Sequence, residues 1–132
     1  NNCSGLNGGL TLGTNVLSIG DYAFNNCSGL IGHVKFQGDI TAIGDHAFDG
    51  CSSLSSLEIR SITSLGVSAF NGCSNLNDID CHVSRTIMNA TDCLLGTNVD
   101  FLHAEPNKGW TGGADTIGGK ALTVIIDLNP EF

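Results

Sequence analysis

Ile19-Gly-Asp-Tyr-Ala-Phe-Asn-Asn-Cys-Ser-Gly-Leu30 returns as Ile43-Gly-Asp-His-Ala-Phe-Asp-Gly-Cys-Ser-Ser-Leu54 and again as Leu65-Gly-Val-Ser-Ala-Phe-Asn-Gly-Cys-Ser-Asn-Leu76. A fourth copy begins truncated at Asn2-Cys3-Ser4-Gly5-Leu6. Cysteines fall at 3, 27, 51 and 73, so the steps are 24, 24 and 22 residues. Self-similarity at such a period is the signature of an array of stacked supersecondary units.

Working outward from the motif, each copy leads into a short alternating stretch: Leu10-Thr-Leu12, Val34-Lys-Phe36, Leu57-Glu-Ile59 and Ile79-Asp-Cys81. Period-two alternation predicts a strand with one face buried. Two spaced apolar residues follow in each unit (Val16 and Ile19, Ile40 and Ile43, Ile62 and Leu65). The Gly-x-x-Ala-Phe segment then closes the coil as a short helix or turn. One coil cannot bury its own apolar side; stacked coils can, and their strands then form a parallel sheet with neighbours ~4.8 Å apart. The third unit is one residue shorter between Leu54 and Leu57 than between Leu30 and Val34, and one shorter between Ile59 and Ile62 than between Phe36 and Ile40. Both losses fall in turns flanking the strand, which leaves the core register intact.

The pattern I/L-G-x-x-A-F-x-x-C-S-x-L resembles the BspA-like, Treponema-type leucine-rich repeat family, over residues 3 to about 81 and about three and a half units. The resemblance implies a leucine-rich-repeat solenoid: stacked coils, a parallel β-sheet on one face, short helical or turn segments on the other. It also implies an extracellular or cell-surface protein concerned with adhesion to host, matrix or cell-surface proteins. The expected division is a solenoid over 1–93 and a C-terminal cap or tail over 94–132, with a strand near 121–128. From Leu94 onward no repeat match is evident, and capping is the expected role, because an open solenoid end exposes core and strand edge. The chain opens inside a repeat and reads as a piece of a longer one.

Composition narrows the function classes. Hydrophobic residues make up 41% and charged residues 14%, enough apolar material for a packed core. With five Lys+Arg against 13 Asp+Glu and a net charge of −8, few phosphates can be neutralised, which argues against nucleic acid. No apolar run approaches the ~20 residues of a membrane helix. Eighteen glycines are about twice ordinary usage and, with two prolines, suit a chain that turns often.

Six cysteines raise the question of disulfides or metal. Cys3, Cys27, Cys51 and Cys73 share one repeat position, where free cysteine serves as a small buried hydrophobe. Cys81 replaces an inward strand residue. Cys93 has no evident repeat role, and a Cys81–Cys93 disulfide remains open beside two free thiols. A zinc set of Cys81, His82, Cys93 and His103 lacks any tight ligand pair, so no metal and no cofactor is expected. His33 and His46 occupy variable positions and read as solvated. No G-x-S-x-G, P-loop or H-E-x-x-H is present, so no catalytic residue is assigned and the chain is expected not to be an enzyme. Gly112-Gly113 and Gly118-Gly119 predict turns. Sequons stand at Asn2, Asn26 and Asn89, the last outside the repeat motif.

If the strands are as predicted, outward residues form three columns across the sheet: Gly9, His33, Ser56, Asp78; Thr11, Lys35, Glu58, Asp80; and Gly13, Gln37, Arg60, His82. From these the candidate partner-binding face is His33, Lys35, Gln37, Ser56, Glu58, Arg60, Asp78, Asp80 and His82. The columns contain no aromatic; Lys35 and Glu58 are placed for a cross-strand ion pair, and Asp78 with Asp80 suggests a basic patch on a partner. The expected function is a non-enzymatic protein-binding or adhesion module. The alternative is a structural or self-assembling segment of a surface array, whose partner is the protein itself.

Overall fold

The computed structural model describes residues 8–36, 40–60 and 62–126, the side chains of residues 35 and 36 excepted. The chain runs β1 (Gly8–Leu12), β2 (Ser18–Ile19), β3 (Leu30–Phe36), β4 (Ala42–Ile43), β5 (Leu54–Ile59), β6 (Ser64–Leu65) and β7 (Asp78–Cys81). The one-turn helix α1 (Arg85–Met88) follows, then β8 (Phe101–Ala104), β9 (Gly113–Ile117) and β10 (Lys120–Ile126). The molecule is a solenoid. One wall is a seven-stranded sheet in the order β1-β3-β5-β7-β8-β10-β9, in which only the β9–β10 pairing is antiparallel. A second wall carries the three-stranded parallel sheet β2-β4-β6.

The alternation seen in the sequence sets the register. Val34 lies opposite Leu57, Leu57 opposite Ile79, and Ile79 opposite Leu102. All four side chains are buried, as period-two inward residues should be. The irregular step between β3 and β5 falls between Gly32 and His33, where the third unit is one residue shorter than its predecessor. The ladder resumes at Val34, so the core column stays in line.

The third wall is built of turns, with no helix. Phe24, Phe48 and Phe70 close i→i+3 bonds to Cys27, Cys51 and Cys73 through their carbonyls. Left-handed φ recurs at Tyr22 and Asn26, His46 and Gly50, Ser68 and Gly72, and Asp92 and Gly96. Three backbone ladders tie each turn to the next. Tyr22 N–H donates to Asp45 O, His46 to Val67 and Ser68 to Thr91. Phe24 donates to Ala47, Phe48 to Ala69 and Phe70 to Cys93; Asn26 donates to Asp49, Gly50 to Asn71 and Gly72 to Leu95. Inside, the Phe24, Phe48 and Phe70 rings stack in series at centroid separations of 5.2 and 5.3 Å. Close stacking also explains the motif's leading glycine: a Cβ on Gly66 would overlap the Asp45 backbone.

These ladders correct the reading of the C-terminal third. Phe70 N–H donates to Cys93 O as Phe48 donates to Ala69, so Cys93 occupies the repeat's alanine place. Leu94 then stands for the phenylalanine and Thr97 for the cysteine, its Oγ1 donating to Leu94 O at 2.7 Å. Residues 91–104 therefore form another coil, and β8 adds a strand to the sheet.

Beyond that coil, β9 and β10 form a hairpin through Gly118 and Gly119, whose φ of 55° and 82° suit the tight turn the glycine pair predicted. Leu94 N–H donates to Gly118 O and Gly118 N–H to Asn89 Oδ1, both at 2.9 Å, so the turn sits on the last rung of the phenylalanine ladder. The predicted strand near 121–128 is β10 as far as Ile126; residues 127 and 128 lie outside the described residues, as do Cys3 and the sequon at Asn2. Trp110 is buried and its Nε1 donates to Val83 O at 3.0 Å. Arg85 forks onto Asp115 with two bonds of 2.9 Å, linking α1 to the edge strand. The guanidinium holds the Asp115 carboxyl below the usual carboxylate range. A group with a lowered folded pKa adds stability above its unfolded pKa, and that stability is lost as pH falls through the folded value. Carboxyl-carbon NMR titration should therefore find the Asp115 midpoint moving up in an Arg85→Ala variant. An unmoved midpoint means the fork does not persist in solution.

Candidate functional site: the outward face of the sheet

With β8 and β10 in place the outward columns are longer than the sequence reading drew them. The first runs through His33, Ser56 and Asp78 to Phe101 and Thr123, the last two being register partners. The second runs through Lys35, Glu58 and Asp80 to His103 and Ile125. The columns as drawn over the first four long strands carry no aromatic; the strands beyond them add Phe101, 53% exposed, and Ile125, 39% exposed. Sequence reading missed both because the identities that flag a repeat are gone after Cys81.

The predicted site residues separate into three groups. His33 and Ser56 are joined by a 2.7 Å Nδ1···Oγ hydrogen bond across β3 and β5. This is a nucleophile–base distance, but both lie on the open sheet, and no third group orients the imidazole among the described residues. Arg60 donates to both Glu58 oxygens at 2.9 and 3.3 Å, which lowers the Glu58 pKa and raises that of Arg60. The side chain of Lys35, and Gln37 altogether, lie outside the described residues, so the cross-strand Lys35–Glu58 pair lies outside them too. Asp78 is exposed and Asp80 half-buried, and neither has an ion-pair partner among the described residues.

His82, in the third column, is buried. Its Nδ1 lies 3.1 Å from Glu105 Oε2, and its Nε2 lies 4.0 Å from Glu58 Oε2. Beside it is a cavity of about 240 Å³ lined by Arg60, Ile62, His82, Ser84, Ile87 and Lys108. This is below the ~300–1,000 Å³ usual for small-molecule pockets. His46 stacks on Tyr22 at 4.9 Å and bonds Asp49 on the turn wall, away from the sheet. No group of three His, Cys, Asp or Glu is arranged for a metal among the described residues.

Cys51, Cys73, Cys81 and Cys93 are buried thiols outside any disulfide, and Cys27 is buried as well, so Cys81 and Cys93 are not bridged. Cys51 Sγ donates to Phe24 O at 3.0 Å and Cys73 Sγ to Phe48 O at 3.1 Å, each reaching back one coil. Burial pushes Cys81 and Cys93 up to about 12, and contact with Cys51 together with burial raises Cys73. Since the thiolate is the nucleophile, only about one in ten thousand of a thiol with pKa near 12 is reactive at pH 8. The hydrogen bond with Cys73 lowers the pKa of Cys51 instead, so there burial alone excludes the reagent; in a Cys3→Ser variant, iodoacetamide at pH 8 should leave the folded protein unmodified and label every remaining thiol in urea. Rapid labelling of the folded chain would overturn the buried column.

Stacked coils, a parallel sheet and a ladder of aligned motif residues define a repeat solenoid, a class in which each unit is completed by its neighbours. The family model of the BspA type leucine rich repeat region matches residues 1–104 in six copies, and the chain belongs to that family. The match runs past residue 81, where the resemblance was read to fade, and ends at the last residue of β8. No curated protein and no solved structure matches the chain. Among the described residues no helix is long and apolar enough to cross a membrane.

Proposed function

We propose that this chain is a non-enzymatic protein-binding module acting outside the cell or at its surface, and that it engages a host, matrix or cell-surface protein through the outward face of its sheet. The observation that carries this is the exposure of Phe101 and Ile125 on β8 and β10, the two strands that follow β7 with its Asp78 and Asp80 in the sheet. Exposed aromatic and aliphatic side chains framed by polar ones are the composition of interface anchors. The partner is specific to the site and not to the fold, since repeat scaffolds host many ligands. The test is surface-based binding to a panel of purified matrix and cell-surface proteins, comparing the chain with a Phe101→Ser/Ile125→Ser variant. Binding that survives the double substitution unchanged would place the contact elsewhere.

A second reading, self-assembly, is favoured by one observation. Large apolar side chains stand exposed on coils well inside the stack: Ile31 is 54% exposed, and Val67 and Leu95 are 44% exposed. Light scattering coupled to size-exclusion chromatography, over a concentration series with and without dithiothreitol, separates the two. A monomer at every concentration leaves the binding module; concentration-dependent oligomers favour the array.

A further inference from the structure

Asp78 heads β7 and Phe101 heads β8, and the β7–β8 register places them side by side on the outward face. Adjacent strands lie ~4.8 Å apart, so a carboxylate and a phenyl ring rise from the sheet as neighbours. On the far side of Phe101 is the smaller Thr123, which leaves the ring more than half exposed. Asp80, two residues along the same face, lies between Glu58 and His103. The nearest arginine, Arg60, is already forked onto Glu58. Asp78 thus stands without an ion-pair partner among the described residues, next to an uncovered aromatic face, while Asp80, also without an ion pair there, lies within electrostatic reach of Arg60.

We infer that Phe101, Asp78 and Asp80 form a receptor for an arginine side chain of a partner protein. The planar guanidinium lies over the Phe101 ring, where the quadrupole attracts a cation, and its N–H fork reaches the Asp78 carboxylate. The arginine's aliphatic stem is left to cover Ile125, diagonal to Phe101 in the sheet. Lysine suits the site less well, because its ammonium is compact, strongly hydrated and cannot stack. The chain's net charge of −8 also draws basic partners toward it. A metal ion is the weaker fit, since alternate residues on a strand splay their carboxylates ~7 Å apart and no third ligand converges on them.

The inference rests on the outward face being the binding surface, and its test is separable from that reading. The probe is N-acetyl-argininamide, titrated into the full chain and followed by amide NMR, with N-acetyl-lysinamide as control. The expected result is saturable shifts confined to residues 78–80, 101–103 and 123–125, at least about tenfold tighter for the arginine probe, and weakened about tenfold by Asp78→Asn and by Phe101→Ala. Both substituted side chains are exposed, so unchanged circular dichroism should accompany the loss. Scattered, non-saturating shifts, equal response to lysine, or indifference to Asp78→Asn each overturn the inference. If a panel protein still binds and Phe101→Ser/Ile125→Ser abolishes it, the binding face stands while the arginine receptor falls. If nothing binds the face at all, both fall together.

Discussion

Phe48→Ala is expected to lower the unfolding free energy by about 3–5 kcal/mol, the range for removing a large aromatic side chain from a close-packed core. Phe48 is fully buried and has a stacked ring on each side, Phe24 at 5.2 Å and Phe70 at 5.3 Å. In a solenoid each coil is held by its two neighbours, so this one truncation loosens two interfaces at once. Phe24→Ala should cost less, because that ring is only partly buried and stacks on one side among the described residues. Urea unfolding of both variants measures the difference. Equal losses at the two positions would mean that neither the fuller burial of Phe48 nor its second stacked neighbour adds to stability.

The second large effect is expected at Gly118. Its φ is +55°, a left-handed conformation that costs other residues roughly 1–2 kcal/mol. A Cβ there would also overlap Cys93 Sγ and lie 2.9 Å from Leu94 N, against backbone and thiol that have nowhere to retreat. Gly118→Ala must therefore lift the turn off the coil, breaking the bonds from Leu94 N–H to Gly118 O and from Gly118 N–H to Asn89 Oδ1. Each is worth about 1 kcal/mol net, so the total loss is about 3–4 kcal/mol. The specific readout is Cys93: its thiol should become alkylated in the otherwise folded protein while Cys51 and Cys73 stay protected. A variant whose Cys93 remains as protected as in the parent would show that the hairpin does not seal it.

Why some of this was legible in the sequence and some was not follows from how the coils are held. Through residue 81 the core column is written in residue types that little else can replace: a stacked phenylalanine, a thiol small enough to sit behind it, an aliphatic at each inward strand position. In the following coil the same backbone ladders persist, but Cys93, Leu94 and Thr97 fill the places of alanine, phenylalanine and cysteine. Volume and hydrogen bonding are kept while identity is lost. The surviving signal is spacing: Gly96 follows Gly72 by 24 residues, within the period of the earlier units, and both have left-handed φ. The candidate face was legible only in part. Strand alternation placed His33, Ser56, Glu58, Asp78 and Asp80 outward, but burial of His82 depends on Glu105, whose approach no local pattern announces. Phe101 was hidden for a related reason, since its strand could be recognised only through its pairing partners.

The ladders have a bearing on how such a chain can change its length. From Tyr22 to Gly72 every rung offers the next coil the same donors and acceptors at the same places. A duplication that inserts one whole unit there meets matching groups above and below, so reach along the stack can grow without a new interface having to arise. The junction with the hairpin is different, because Gly118 is fitted to Cys93 and Asn89 and to no earlier coil. Tandem expansion is therefore tolerated upstream of Asp92, while the last coil and the hairpin must be inherited as one block.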